Sequence, residues 1–272
     1  MLTASDVAAV FEQIAPRSLG LPDDELGFVF GDPATPVRGV ACMWNVHTRS
    51  LADAAAAGLN LVVCHEHPWL PDQASGWYEP PASGQNRSNR LRRELLERHG
   101  MVVYRSHSNW DALPGDGVPD QAVAALGIAG LEVVAAQTFF KVHRLPAPTP
   151  VRALRERAER GLGFVATRLF GDGDRIVERF AFLIGGFGEN QWHMPQAAVE
   201  LGAEALIIGE MSEFIVVAAL ELGVPVIETL HSVSEIPAIR RQAELLAARL
   251  PGLPVHYVPS GALAFGSSPD RP

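Results

Sequence analysis

Leu61-Val62-Val63-Cys64-His65-Glu66-His67-Pro68-Trp69 decides how the rest of the chain is read. The valine-rich run is a buried strand by composition, and Pro68 stops it. Directly after the dry run come two imidazoles and a carboxylate, each able to bind a metal ion or move a proton. In open α/β sheets ligands collect just beyond the carboxyl ends of strands, so His65, Glu66 and His67 stand where chemistry is usually done.

Working outward, Val37–Trp44 reads as a strand. Thr48 or Ser50 caps a helix over 51–57, closed by Gly58, and the strand to Cys64 completes a βαβ unit. Residues 70–90 are rich in Pro, Gly and Ser and contain Trp77 and Tyr78, a composition that fits a lid beside the site or a surface loop. A helix follows over 91–99, with Leu91, Leu95 and Leu96 at helical spacing. A strand over 101–104 then delivers Arg-Ser-His107-Ser-Asn-Trp-Asp111.

The second half repeats the plan. Strands over 177–184, 205–208 and 224–227 alternate with helices over 195–201 and 214–222. Helix 235–249 and a last strand, 254–258, follow. Ala56–Glu66 aligns with Glu200–Glu210 without a gap, and Arg98–Tyr104 with Glu221–Ile227. This is an internal duplication. The expected fold is therefore α/β, with two related βαβ-type lobes (1–130 and 131–272), mixed sheets flanked by helices, and a metal cleft at the strand ends. Gly185-Gly186-Phe187-Gly188 lacks the full dinucleotide fingerprint and reads as a tight turn.

Composition narrows the function. The 272 residues are 47% apolar and 19% charged, with a net charge of -9. An acidic chain is a poor general binder of nucleic acid or membrane surfaces, though a bound cation would still let it take a small anionic substrate. Cys42 and Cys64, the two cysteines, lie in apolar runs and read as buried thiols rather than a disulfide. The opening MLTASDVAAVFEQIAPRSLG carries Asp6 and Glu12 and reads as an amphipathic helix rather than a leader. No apolar run has bilayer-spanning length, so the expectation is a soluble, cytoplasmic protein.

Three strand ends supply His65, Glu66 and His67; His107 and Asp111; and His231 and Glu235. His231 and Glu235 are spaced i, i+4, so a helical turn puts both on one face. Mixed imidazole and carboxylate ligands suit Zn, Mn, Fe or Co better than Mg or Ca. So many ligands exceed what one catalytic zinc needs and suit two ions. A metal site on an eight-unit barrel also opens with His-x-His, but a two-half repeat has too few βα units for one.

Glu25-Leu-Gly-Phe-Val-Phe-Gly-Asp-Pro33, the strand into His65, Ser106–Asp111, Arg144-Leu-Pro-Ala-Pro148, Gly209-Glu210 and His231-Ser-Val-Ser-Glu235 together resemble the Nif-three-like family. Its members carry labels such as GTP cyclohydrolase I type 2 homologue and dinuclear-metal-centre hexameric protein. The resemblance implies two divalent transition-metal ions, with Asp111, His231 and Glu235 on family ligand positions. The family's usual His-His falls on His65 and Glu66, so either Glu66 replaces the second imidazole or His67 swings in. It also implies a homohexamer and a small-molecule, nucleotide-like ligand. The expected activity is metal-dependent hydrolysis, with His67 and His107 as proton-handling residues and Trp69, Trp77 or Tyr78 stacking on a base; the alternative is a non-catalytic metal-binding or regulatory protein.

Overall fold

A computed structural model describes residues 1–71, 86–188 and 191–265. The chain forms two compact units, Met1–Leu113 with Ile239–Pro272, and Pro114–Ala238.

The first unit holds a five-stranded sheet in the order β1-β4-β3-β2-β11. Strands β2 (Val40–Met43), β3 (Leu61–Cys64) and β4 (Val102–Arg105) are buried along their whole length and pair in parallel. That is why they read as continuous apolar runs rather than alternating ones. β1 (Gly27–Phe30) closes one edge antiparallel to β4, and β11 (Val255–Tyr257) closes the other parallel to β2. Helix α1 (Ala4–Glu12) opens the unit. Helix α2 (Thr48–Ala56) links β2 to β3 and α3 (Arg87–Arg98) links β3 to β4. The cap of α2 is His47, whose Nδ1 accepts from Ser50 N at 3.1 Å; the hydroxyls of Thr48 and Ser50 do not serve as the Ncap side chain. Trp69 is buried against Phe30, ring centroids 5.8 Å apart. It belongs to the core and offers no stacking platform. Trp77 and Tyr78, with most of the loop read as a lid, lie outside the described residues. Cys42 and Cys64 are buried free thiols, and burial pushes both up to about 12.

The second unit has a six-stranded sheet in the order β5-β6-β8-β9-β10-β7. Its centre is again parallel: β8 (Ile176–Phe187), β9 (Ala205–Met211) and β10 (Val226–Glu228). Helix α7 (His193–Glu200) joins β8 to β9, and α8 (Glu213–Glu221) joins β9 to β10. β7 (Arg168–Phe170) closes the edge antiparallel to β10. The order β7-β10-β9-β8 thus repeats β1-β4-β3-β2, with the same edge strand reversed, so the sequence repeat is a repeat of fold. The antiparallel additions β5 (Glu132–Gln137) and β6 (Phe140–Pro150) and helices α4 (Ser108–Asp111), α5 (Val118–Ala125) and α6 (Val151–Leu162) complete the elements up to α8.

Helix α9 runs from His231 to Arg249, so it starts one turn earlier than the sequence pattern placed it. Pro237 consequently sits in its second turn and cannot donate to the carbonyl four residues back. Gly185 and Gly186 do not form a turn. They lie inside β8, at a shift of its register with β9, and Gly185 has φ +80°, a conformation glycine adopts without strain. Among the described residues no helix is long and apolar enough to cross a membrane.

Candidate functional site

In the first unit β3 ends at Cys64, and His65 follows it into a fully buried position. Its Nδ1–H donates to the Ser106 carbonyl at 3.2 Å. A carbonyl can only accept, so Nδ1 carries a proton and Nε2 is the ring nitrogen turned to the cluster. That Nε2 lies 3.4 Å from Asp111 Oδ1. Asp111 is carried by the one-turn helix α4, four residues after His107, which is its Ncap. The His107 ring packs on His65 with centroids 4.8 Å apart, and its Nε2 is 3.8 Å from Glu66 Oε1. His65, His107 and Asp111 each present a ligand atom within 4.8 Å of one another.

His107 is held from behind by a residue that the sequence patterns did not single out. Asp24 Oδ2 accepts from His107 Nδ1 at 2.9 Å, Ser108 Oγ at 2.6 Å and Ser108 N at 3.1 Å, and Oδ1 accepts from Arg105 Nη1. Burial alone would lower His107, but the Asp24 hydrogen bond and the Asp111 and Glu66 carboxylates outweigh it and raise it to about 9. Burial works against the Asp24 carboxylate in the same way; the same His107, with Ser108 and Arg105, holds it far below the carboxylate range. A strand-end scan misses Asp24 because it lies before β1, some eighty residues away from its partners.

His67 faces elsewhere. Trp69 N donates to its Nδ1 at 3.3 Å, leaving Nε2–H to donate to Glu25 Oε2 at 3.0 Å. Burial, only partly offset by the Glu25 bond, lowers its pKa. The structure therefore brings His65, Glu66, His107 and Asp111 together and pairs His67 with Glu25.

The second unit builds a counterpart from the same strand ends. Glu210, at the end of β9, aligns with Glu66. His231 and Glu235 open α9 with the i, i+4 spacing that His107 and Asp111 have on α4. His231 lies between two carboxylates, with Nδ1 3.1 Å from Glu210 Oε1 and Nε2 3.3 Å from Glu235 Oε1. Ser234 fixes this turn: its Oγ donates to His231 O at 2.7 Å and accepts from Gly185 N at 3.2 Å. The cluster fits only because β8 carries glycines beneath it. A Cβ at Gly186 would stand 2.7 Å from Glu210 Oε1 and 3.0 Å from His231 Nδ1, and one at Gly185 would stand 3.1 Å from Glu235 Oε1. Gly209 holds the position of His65. A side chain is excluded there, since a Cβ would come within 2.2 Å of Gly185 O. A cavity of about 500 Å³ opens beside His231 and Glu210, lined also by Arg168, Gln191, Ser212 and Glu228.

The donor chemistry fits a transition-metal cation. Bonds of about 2.0–2.2 Å place donors at most about 4.4 Å apart, a span that takes in the 3.4 Å between His65 Nε2 and Asp111 Oδ1. The Ser106 carbonyl orients His65 as outer partners orient metal-bound imidazoles.

A profile of the Duf34/NIF3 (NGG1p interacting factor 3) family matches residues 2–260, and the chain belongs to that family. A protein named GTP cyclohydrolase 1 type 2 homolog from Yersinia pestis is 31% identical over 205 residues, covering 74% of this chain and 76% of its own. Another of that name from Clostridium perfringens (strain 13 / Type A) is 24% identical over 254 residues, covering 90% and 92%. The crystal structure of a Bacillus cereus protein related to NIF3 superposes with a TM-score of 0.79 at 16% identity, covering 99% of this chain and 98% of that one. That likeness establishes a shared fold.

Proposed function

We propose that this Duf34/NIF3 chain is a dinuclear metal protein and a metal-dependent hydrolase of a nucleotide or related heterocycle. The first unit contributes His65, Glu66 and Asp111 as ligands and the second contributes His231 and Glu235. The observation that carries this reading is the repetition of one device. Each unit ends its central strands in a glutamate, then a histidine with an acidic residue four positions on, all drawn to within ligand distances. Buried carboxylates and imidazoles facing one another are costly to hold for structure alone.

Divalent ions such as Zn, Fe, Mn or Co, when bound, supply Lewis acidity and an activated water. The chain's own residues do the rest. His107, anchored through Nδ1, directs its Nε2 to the Glu66 side as the proton-handling group. The cavity bordered by Arg168, Gln191 and Glu228 gives a polar, partly charged wall for a hydrogen-bonding substrate. The printed name of the relatives makes GTP the first compound to try. His67, bound to Glu25, is assigned to holding that segment in place rather than to proton transfer. A homohexamer is the proposed assembly.

The test is a hydrolysis screen of metal-loaded protein, beginning with GTP and other nucleotides and followed by chromogenic phosphate and carboxylate esters. Turnover abolished by Asp111→Ala and by Glu235→Ala supports the reading. Retained metal with no turnover of any compound supports the non-catalytic alternative. The observation favouring that alternative is Glu66, which stands where the family pattern carries an imidazole.

A further inference from the structure

We propose that Asp24 is a positioning residue for His107, forming a carboxylate–imidazole dyad that aims His107 Nε2 at the Glu66 end of the first unit's cluster; this rests on the reading of His107 as the proton-handling group. The geometry over-determines the carboxylate. Its Oδ2 receives His107 Nδ1, Ser108 Oγ and Ser108 N, and its Oδ1 receives Arg105. Arg105 is itself buried and fixed by a 2.7 Å bond to the Glu25 carbonyl. Four donors therefore leave the carboxylate no freedom to rotate. His107 is clamped between this carboxylate and the face of His65, so Nε2 is the edge left to point forward, 3.8 Å from Glu66 Oε1.

The second unit argues that this is more than a structural ion pair. By strand register Arg105 corresponds to Glu228, since they pair with Cys64 and Ile208, which are equivalent. The buried Glu228 also forms an ion pair, with the exposed Arg168 of β7, but with the charges exchanged, and His231 bonds instead to Glu210. Both units thus keep a strand-end ion pair. Only in the first is the carboxylate moved to the partner side, where it reaches the histidine. In general, outer carboxylates fix the tautomer and ring direction of functional imidazoles.

The test is made on metal-free protein labelled with nitrogen-15 in histidine, with His107→Gln assigning the His107 ring signals. The wild type should show a His107 Nδ1–H resonance at low field and protected from exchange. Asp24→Asn conserves volume but cannot accept on both sides at once; it should lose that resonance and the ring-to-ring contact with His65 while retaining its fold and, in a separate reconstitution, the wild type's capacity to bind metal. Ser108→Ala, which removes another donor to the same oxygen, should keep the resonance. On the phosphodiester bis(p-nitrophenyl) phosphate, Asp24→Asn should lower kcat about 10–100-fold with KM unchanged. A protected resonance that survives in folded Asp24→Asn overturns the proposal. So does its absence from the wild type, a measurement that stands if no Asp24 variant folds. A wild type that has the resonance but binds no metal defeats the functional reading and leaves the dyad standing.

Discussion

The two strand-end clusters are built to one plan and hold their histidines by different means. In the first unit His107 is bound from behind by Asp24 and packs on His65, so one edge of the ring is committed to the scaffold. In the second His231 touches carboxylates through both nitrogens, Glu210 on one side and Glu235 on the other. The residue equivalent to His65 is Gly209, and the β8 backbone fills the space an imidazole would need. A duplicated fold has thus kept the acidic positions and diverged in what surrounds them: one unit offers a second imidazole and an anchored one, the other a bare cradle for a single imidazole. The first thus presents an anchored imidazole beside a second one, and the second presents a single imidazole between two carboxylates.

The largest expected effect lies at the acids. Asp111→Ala and Glu235→Ala should each cost at least one metal equivalent per chain, read by plasma mass spectrometry, with the circular dichroism spectrum unchanged. Undiminished metal in both would remove the clusters' common purpose. Next in size are packing effects. Gly209→Ala forces a Cβ against Gly185 O and should destabilise by about 3 kcal/mol in urea unfolding. His65→Ala, at the equivalent place, removes a side chain from a site with room for one and should cost about 1–2 kcal/mol. Equal effects would show that the two backbones are not differently shaped there.

The exchanged ion pairs should respond unequally to the loss of their strand residue. Arg105→Met strands the Asp24 carboxylate in a buried site and should cost about 3 kcal/mol. Glu228→Gln leaves only Arg168, which is exposed to water, and should cost about 1 kcal/mol. Matching denaturation midpoints for the two variants would contradict the different burial of the partners.

A further effect, of similar size to the last, concerns acid. Burial, with a smaller contribution from Arg92, depresses His47 to about 4, and its neutral Nδ1 caps α2. Its folded value lies below its unfolded one. Its contribution is therefore present above about pH 6.5 and is lost as pH falls from there through about 4. His47→Asn keeps a capping acceptor without a proton to gain. Relative to wild type it should gain about 1–2 kcal/mol on going from pH 7.5 to 4.5. An unchanged difference across that range would remove the acid-sensitive cap.

Much of this architecture could be read before the structure. The parallel strands announce themselves because burial on both faces leaves uninterrupted apolar runs, as at Leu61–Cys64 and Ala205–Ile208. The ungapped match of those runs exposes the repeat. Residues 131–176 gave little, because β5 is half exposed and lacks a clean alternation. His65, Glu66, His107, Asp111, His231 and Glu235 were visible from being polar groups after dry strands. Asp24 was not, since its meaning comes from contacts with Arg105, His107 and Ser108 across a wide sequence gap. Nor was the use of Gly185 and Gly186, which mark a bulged strand under His231 and Glu235 rather than a turn. A glycine pair signals backbone freedom without saying what occupies the space it frees.

The most direct measurement is metal content per chain, by plasma mass spectrometry, on untagged protein purified without chelator and again after reconstitution with Zn, Mn, Fe and Co. Near two equivalents of a transition metal is the predicted result. No bound metal under any of these conditions would contradict the account at its centre.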